Sequence, residues 1–467
     1  MQTSVVNYRD LNFELRIDAE YYRAEVLENI NLLDRKDNGI LSDLASFVIG
    51  PFGSTVTVDQ YVPSSSFKYV RNKDINDFQI SDDDPAYIPE QVYKGLPQFH
   101  IRENDLLITV VGTLGKAAIA TKKDAFSIFS CKSTIIRAEK IDPFYLLAYL
   151  NSSVGQLFAL RGARGAIQQG LNLSDLKEIK VFLPSDVFRK SVRSIVVKAF
   201  VIIEDAKNLY SQAEQILLSE LGLLNWMPEY HLSFVRNFSD TKSADRIDAE
   251  YFQPMYDEVV EKVKQYKNGW SRLDDQFSQN RKSFHKINDH NYHYVEISCV
   301  RTSDGSIEPL VLSGRDLPAN AKIKLQKNDI IISKVRPYRG AISIIQTDNL
   351  VGSSAFTVVQ EKGTLFKETL FVLLRTKAYL KYSLKFNTGT SYPTIDDQDI
   401  LGFPVPLIAN AVQVSIKHKI EEAIRTKHQS QSLLDIAKRG VELAIEENEQ
   451  SAEKWIKREL DKLDVET

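Results

Sequence analysis

The sequence predicts an α+β fold: two tandem duplicated globular domains, separated by two long helices that pair as an antiparallel coiled coil. Three observations carry this expectation. The heptapeptide RIDAEYY at residues 16–22 returns as RIDAEYF at residues 246–252. Further segments recur in the same order in both halves. Each half then closes with a long run whose apolar residues are spaced alternately four and three apart, the signature of a paired helix.

The recurring segments are individually weak but collinear. YVRNKDI from Tyr69 pairs with YVEISCV from Tyr294, and NDLLITVVGTLGKAAI from Asn104 pairs with NDIIISKVRPYRGAIS from Asn328. GAIQQGLNLSDL from Gly165 pairs with GTSYPTIDDQDI from Gly389. A fixed order at a nearly constant separation indicates an internal duplication of about half the chain.

The heptad stripe of the first half is Phe188, Val192, Ile195, Ala199, Ile202, Ala206, Leu209, Ala213 and Ile216. That of the second is Ile416, Ile420, Ala423, Lys427, Ser430, Leu434, Ala437, Val441 and Ala444, with Lys427 and Ser430 expected to weaken the seam. Two such helices of about 35 residues would each be about 50 Å long. The expected boundaries are a first domain at 1–185, a first spacer helix at 186–222, a second domain with its linker at 223–409, and a second spacer helix at 410–460. Pro184, Pro404 and Pro406 precede the helices and end extended runs. Within the domains, DLLITVV, STIIRAE, DIIISKV and AFTVVQ read as strands, whereas FYLLAYLNSS and TLFVLLRTKAYLKYSL read as helices. The repeated heptapeptide reads as a helix start: Asp18 as N-cap, Glu20 in the first turn, and Ile17 with Tyr22 as a hydrophobic staple. Ile247, Asp248, Glu250 and Phe252 repeat the arrangement.

Composition narrows the function. The chain has 467 residues, 43% hydrophobic and 26% charged, as in a soluble globular protein. It has no apolar run long enough to span a bilayer and no basic-then-apolar leader pattern. The two cysteines, Cys131 and Cys299, fit neither a disulfide framework nor a structural zinc site, and a cytoplasmic location is expected. The net charge of −3 requires any nucleic-acid contact to come from local clusters of Lys and Arg.

Catalytic motifs do not emerge. GTLGKAAI departs from a phosphate loop, with Val110 where the first glycine belongs and Ala117 where a magnesium-binding hydroxyl belongs. HKINDHNYH (His285, His290, His293) has no metal-ligand spacing and reads as a polar surface loop, as the acidic run Asp82, Asp83, Asp84 reads as a solvated turn. No cofactor is expected in this chain.

What remains are basic and polar loops in equivalent places of the two halves. LRGARGAIQQG carries Arg161, Arg164, Gln168 and Gln169 among glycines; Arg can pair with guanine and Gln with adenine in a major groove. Its counterpart NTGTSYPT carries Thr388, Ser391 and Tyr392. KVRPYRG adds Lys334, Arg336, Tyr338 and Arg339, opposite Lys116, and NRKSFHK adds Arg281, Lys282 and Lys286. Ser54 of GPFGS, with Arg71 and Lys73 of YVRNKDI, completes the candidate DNA-contacting set.

The paired RIDAEYY/F segments, GPFGS at 50–54, the stretch NSSVGQLFALRGARGAIQQGLNLSDLKEIKVFLP from Asn151 and the heptad helix after it resemble specificity subunits of type I restriction-modification systems. The resemblance covers essentially the whole chain. The second half departs from it, because NTGTSYPTIDDQDILGFPVPL keeps the glycine and closing prolines but loses the Gln and Asn. The resemblance implies a non-catalytic subunit with two target-recognition domains, each reading one half of a split, asymmetric DNA site. The helix pair would act as a spacer between them. Two methyltransferase subunits, using S-adenosylmethionine on adenine N6, and translocating endonuclease subunits would be the partners, with base flipping done by the methyltransferase. The alternatives are a recognition subunit of another modification or defence complex, such as a type II enzyme with a separate specificity chain, and a protein-binding scaffold with no DNA contact.

Overall fold

The computed structural model describes residues 5–8, 11, 15–165, 169–389 and 392–464. It divides into two compact units, one of residues 1–204 with 426–467 and one of residues 205–425, so each long helix contributes a segment to both. The two units are built from equivalent pieces of chain.

In the first unit, a five-stranded sheet runs in the order Ala45–Ile49, Ser133–Ala138, Leu106–Thr109, Ala117–Ile119, Phe78–Gln79. A three-stranded sheet orders Ala86–Tyr87, Lys68–Val70 and Ser127–Phe129, the last two parallel. In the second unit the equivalent four-stranded sheet is Phe277–Gln279, Phe356–Glu361, Ile330–Ser333, Ile342–Ile344. The other sheet orders Leu310–Ser313, Asn291–Val295, Leu350–Ser353 and Ala321–Leu325, again with one parallel pair, Asn291–Val295 with Leu350–Ser353. All four expected strands are present. Asn104 and Asn328, just before equivalent strands, both take positive φ, at 70° and 74°. Asn tolerates this left-handed conformation, which accounts for the repeated Asn-Asp pair.

The expected helical runs form broken helices. In the first unit Pro143–Asn151 gives way to Ser153–Arg161, with Ser152 capping the second by accepting from Gly155 N at 3.2 Å. In the second unit Lys367–Arg375 gives way to Lys377–Tyr382, capped by Thr376 at the equivalent place. A hydroxyl residue bonded to the next turn starts a new helix instead of extending the old one. Two-stranded ribbons close both units: Asn38–Ile40 with Lys180–Phe182, and Trp270–Arg272 with Pro404–Pro406.

The first long helix spans Asp186–Glu220 and the second Asn410–Glu446. In the first unit Phe188, Val192, Ile195 and Ala199 share one buried core with Leu434, Ala437, Val441 and Ala444. Ser430, which interrupts the apolar stripe, is buried and donates from Oγ to the Ala199 carbonyl at 2.8 Å, so its hydroxyl is satisfied within the core. In the second unit Ala213 and Leu217 share a core with Ile416 and Ile420.

Two expectations need correction. The second long helix stops at Glu446, and a separate helix, Glu449–Lys462, follows where the first had been expected to continue to 460. Asn448 ends the run: its Oδ1 accepts from Ser451 N at 2.9 Å and caps the new helix. The new helix packs back on the old one through Gly440, where an added Cβ would lie 2.6 Å from Ile456 Cδ1. The repeated heptapeptide is also not a helix start. Helices begin later, at Ala24–Leu33 and Pro254–Lys264, and residues 19–22 form a turn. Ile17 and Ile247 are exposed, so no staple forms.

Candidate nucleic-acid interface

In place of a helix cap, the heptapeptide builds a clamp, and builds it twice. Arg16 donates from Nε and Nη2 to Asp18 at 2.8 and 3.0 Å, while Asp18 Oδ1 accepts from Tyr21 N at 3.1 Å. Arg246, Asp248 and Tyr251 repeat these bonds at 2.8, 3.0 and 3.0 Å. The hydrogen bonds from Arg16 and Arg246 are the largest influence holding the Asp18 and Asp248 carboxyls below their ordinary pKa. The Arg16 guanidinium lies over the Tyr21 ring at 4.3 Å, and Arg246 over Tyr251 at 4.6 Å. Such contacts are worth roughly 0.5–2 kcal/mol each.

The clamp holds the base of the glycine-rich loop. In the first unit Arg161 Nε donates to the Tyr21 carbonyl at 2.9 Å and its guanidinium covers the ring at 3.7 Å. Arg164 Nη2 donates to buried Asp175 at 2.8 Å, and Arg16 Nη1 reaches the same oxygen at 3.4 Å. Arg161 and Arg164 are therefore engaged within the fold. In the second unit Lys385 takes the place of Arg161, with Nζ 5.2 Å from the Tyr251 ring centroid, and Arg246 donates to the Asn387 carbonyl at 3.0 Å. Asn387 Oδ1 then accepts from Gly389 N and Thr394 N, both at 3.0 Å, closing the loop.

Each unit brings that loop against the loop leaving its central strand. In the first, Val111 is bridged to Gly170, Gly170 to Arg164, and Leu171 N donates to Val110 O at 2.9 Å. Gln169 is exposed there; Gln168 lies outside the described residues. In the second, Val335 is bridged to Thr394, Ile395 N donates to Lys334 O at 3.0 Å, and Arg336 N donates to Pro393 O at 2.7 Å. The candidate segments KVRPYRG and NTGTSYPT thus meet. Arg336 lies over the Tyr392 ring at 4.6 Å, with Tyr392 62% exposed. Thr388 bonds across the loop to Thr394, while Ser391 lies outside the described residues.

The other candidates differ in how far they are already paired. Arg71 is bound to Asp74 at 2.9 and 3.0 Å, Lys73 to Asp84 at 2.8 Å, and Lys116 lies 3.9 Å from Asp77. Lys334 pairs with Asp397 at 3.2 Å. Arg339 and Arg281 are exposed, Arg281 with Nε on Gln279 at 2.7 Å, and Tyr338 is half-buried. Ser54 is exposed; it and Arg281 follow equivalent strands. The acidic run is more than a solvated turn, since Asp82 binds both Lys68 and Lys123. Burial opposes charge on Asp82, but hydrogen bonds from Lys123 and Lys68 outweigh it and lower its pKa. Among the described residues, no group of three His, Cys, Asp or Glu side chains could hold a metal, and no helix is long and apolar enough to cross a membrane.

Three residues on or beside these loops escape a motif reading. Phe52 of GPFGS is 87% exposed. Lys132 is exposed, and its carbonyl accepts from Val110 N at 2.9 Å, beside the central-strand loop. Lys385 becomes visible only when the second half is aligned with Arg161. Sequence position alone gave no signal for Lys132.

No family model matches the chain. Over 117 residues it is 30% identical to the type I restriction enzyme EcoBI specificity subunit of Escherichia coli, a stretch covering 25% of each chain. Over 100 residues it is 33% identical to the HindI specificity subunit of Haemophilus influenzae, covering 20% of this chain and 22% of that one. The matched stretches thus span a quarter or less of these relatives. Among solved structures, the S subunit of a type I restriction-modification system from M. genitalium aligns over 91% of this chain and 95% of that one, with 12% identity and a TM-score of 0.38. The HsdS subunit from Thermoanaerobacter tengcongensis aligns over 91% and 96%, with 15% identity and a TM-score of 0.28.

Proposed function

We propose that this chain is the specificity subunit of a type I restriction-modification system, a non-catalytic, sequence-specific DNA-binding protein. Each unit is a target-recognition domain reading one half of a split, asymmetric site. The two long helices pair as an antiparallel coiled coil whose length sets the unread gap. Two methyltransferase subunits, carrying S-adenosylmethionine, and endonuclease subunits act at the site this chain selects.

The observation that carries the reading is the equivalent pair of loops in both units, anchored alike and different in side chains. Gln169 is exposed on the first, and Arg336 and Tyr392 lie on the second. Two readers of different half-sites require that combination: a constant frame with divergent groups able to reach base edges and phosphates. Similarity to the two specificity subunits supports the same conclusion. Arg336, Arg339 and Arg281 are the leading contacts in the second unit, with Gln169, Lys132, Lys116 and Ser54 in the first. Arg161 serves to position the loop.

The test is a map of methylated adenines in host DNA with this gene present or deleted. Loss of one split motif on deletion supports the reading; an unchanged map contradicts it.

A further inference from the structure

We infer that Arg375 and Tyr210 form a latch that positions the DNA-reading turn of the second unit against the long helix. The inference rests on the function proposed above and adds a specificity-determining role for two residues remote from the candidate contacts.

Arg375 is the last residue of helix Lys367–Arg375 and is only 8% exposed. Its hydrogen bonds run to three separate segments. Nη1 donates to the Gly340 carbonyl at 2.8 Å and more weakly to Ile342 O at 3.4 Å. Nη2 donates to Thr302 O at 2.8 Å, and Nε to the Tyr210 hydroxyl, on the first long helix, at 2.9 Å. The guanidinium also packs 5.4 Å from the Tyr210 ring and 5.2 Å from that of Phe371. A buried cation is costly unless its donors are met, and only the planar fork of arginine can bind carbonyls and a phenol in several directions at once. Gly305 tightens the same junction: at φ 72° an added Cβ would lie 2.6 Å from Phe371 and 2.7 Å from the Ile342 carbonyl.

Gly340 ends the Pro337–Arg339 turn that carries Tyr338 and Arg339, with Arg336 just before it. Arg375 thereby fixes the turn's end while Tyr210 fixes Arg375. In the first unit Asn151 holds the equivalent place and donates to the Ala117 carbonyl at 2.9 Å. The bond to the long helix through an arginine belongs to the second unit.

The test uses Tyr210→Phe, which removes one hydroxyl and keeps the ring, and Arg375→Lys, which keeps charge but not the fork. Both are expressed from the native locus with all partner genes. Methylation at sites bearing one wrong base in the second unit's half-site is expected to rise at least tenfold relative to the correct site, with the other half unchanged. Unchanged discrimination, or a parallel decline at both halves, would overturn the latch. Hydrogen exchange in the intact protein reads the latch independently of the function: the amides of Arg336 and of residues 338–340 should exchange at least threefold faster in Tyr210→Phe. Unchanged protection there overturns the latch even if the parent protein directs no methylation, a result that would instead refute the proposed function. If Arg375→Lys fails to fold, Tyr210→Phe decides.

Discussion

Arg161 lies 3.7 Å over the ring of Tyr21 and donates to that residue's own carbonyl at 2.9 Å. With Arg16 at 4.3 Å from the same ring, Tyr21 is held by two cations, and Tyr251 is held alike by Arg246 and Lys385. This relationship explains why the chain spells one heptapeptide twice. The arginine, the turn-forming aspartate and the aromatic ring are all needed to seat a loop whose tip is free to differ.

Arg161→Ala should therefore act on stability. Loss of a ring contact and a charged hydrogen bond should cost roughly 2 kcal/mol, or about 4–8 °C in Tm for a unit of this size. Thermal denaturation checks this, with no change expected in the salt dependence of DNA binding beyond that due to unfolding.

Arg339→Ala should do the opposite. Exposed at the tip of its turn, it should leave Tm unchanged and lower the salt slope of DNA affinity by about 1 if it meets a phosphate. If it reads a base, discrimination at one position relaxes instead. Titrations of the assembled complex at several salt concentrations separate the two.

The Asp82 pair gives a pH dependence. Its carboxyl pKa is lowered from 3.8 by Lys123 and Lys68 acting against burial, so its stabilisation is complete above 3.8 and fades as pH falls through the lower folded value. Burial likewise opposes charge on Lys123, but Asp82 outweighs it and raises that pKa, so the lysine's contribution fades only as pH rises past 10.5. Asp82→Asn should be less stable than the parent at pH 7, and the difference should vanish in strong acid. Denaturant melts across pH provide the check.

Adding one heptad to each long helix lengthens the spacer by about 10 Å, close to 3 base pairs. The gap in the methylated motif should widen accordingly while both half-sites stay the same.

Periodicity and repetition made most of the fold legible: the four strands, the helical runs and the buried stripe from Phe188 onward all follow local pattern, whereas the breaks at Ser152 and Thr376 show only in the folded chain. The heptapeptide misled because its Asp-Ala-Glu resembles a capped helix start, whereas Arg16 and Tyr21 commit Asp18 to a clamp through contacts with residues far along the chain. The end of the second long helix depended on Asn448 and on the close packing of Gly440 against Ile456, a tertiary contact. Arg161 and Arg71 have the chemistry of DNA contacts in sequence, but Tyr21, the partner of Arg161, is met only in the folded chain, and the bond of Arg71 to nearby Asp74 shows only in its geometry. Arg375 lies inside an apolar run, and its partners Tyr210 and Thr302 are likewise distant in sequence.

The most direct test of the account exchanges residues 246–405 for the corresponding segment of a specificity subunit with a different target and maps methylated adenines in the host. One half-site should change to that of the donor while the other half stays as it was. A change in both halves would contradict independent reading by the two units.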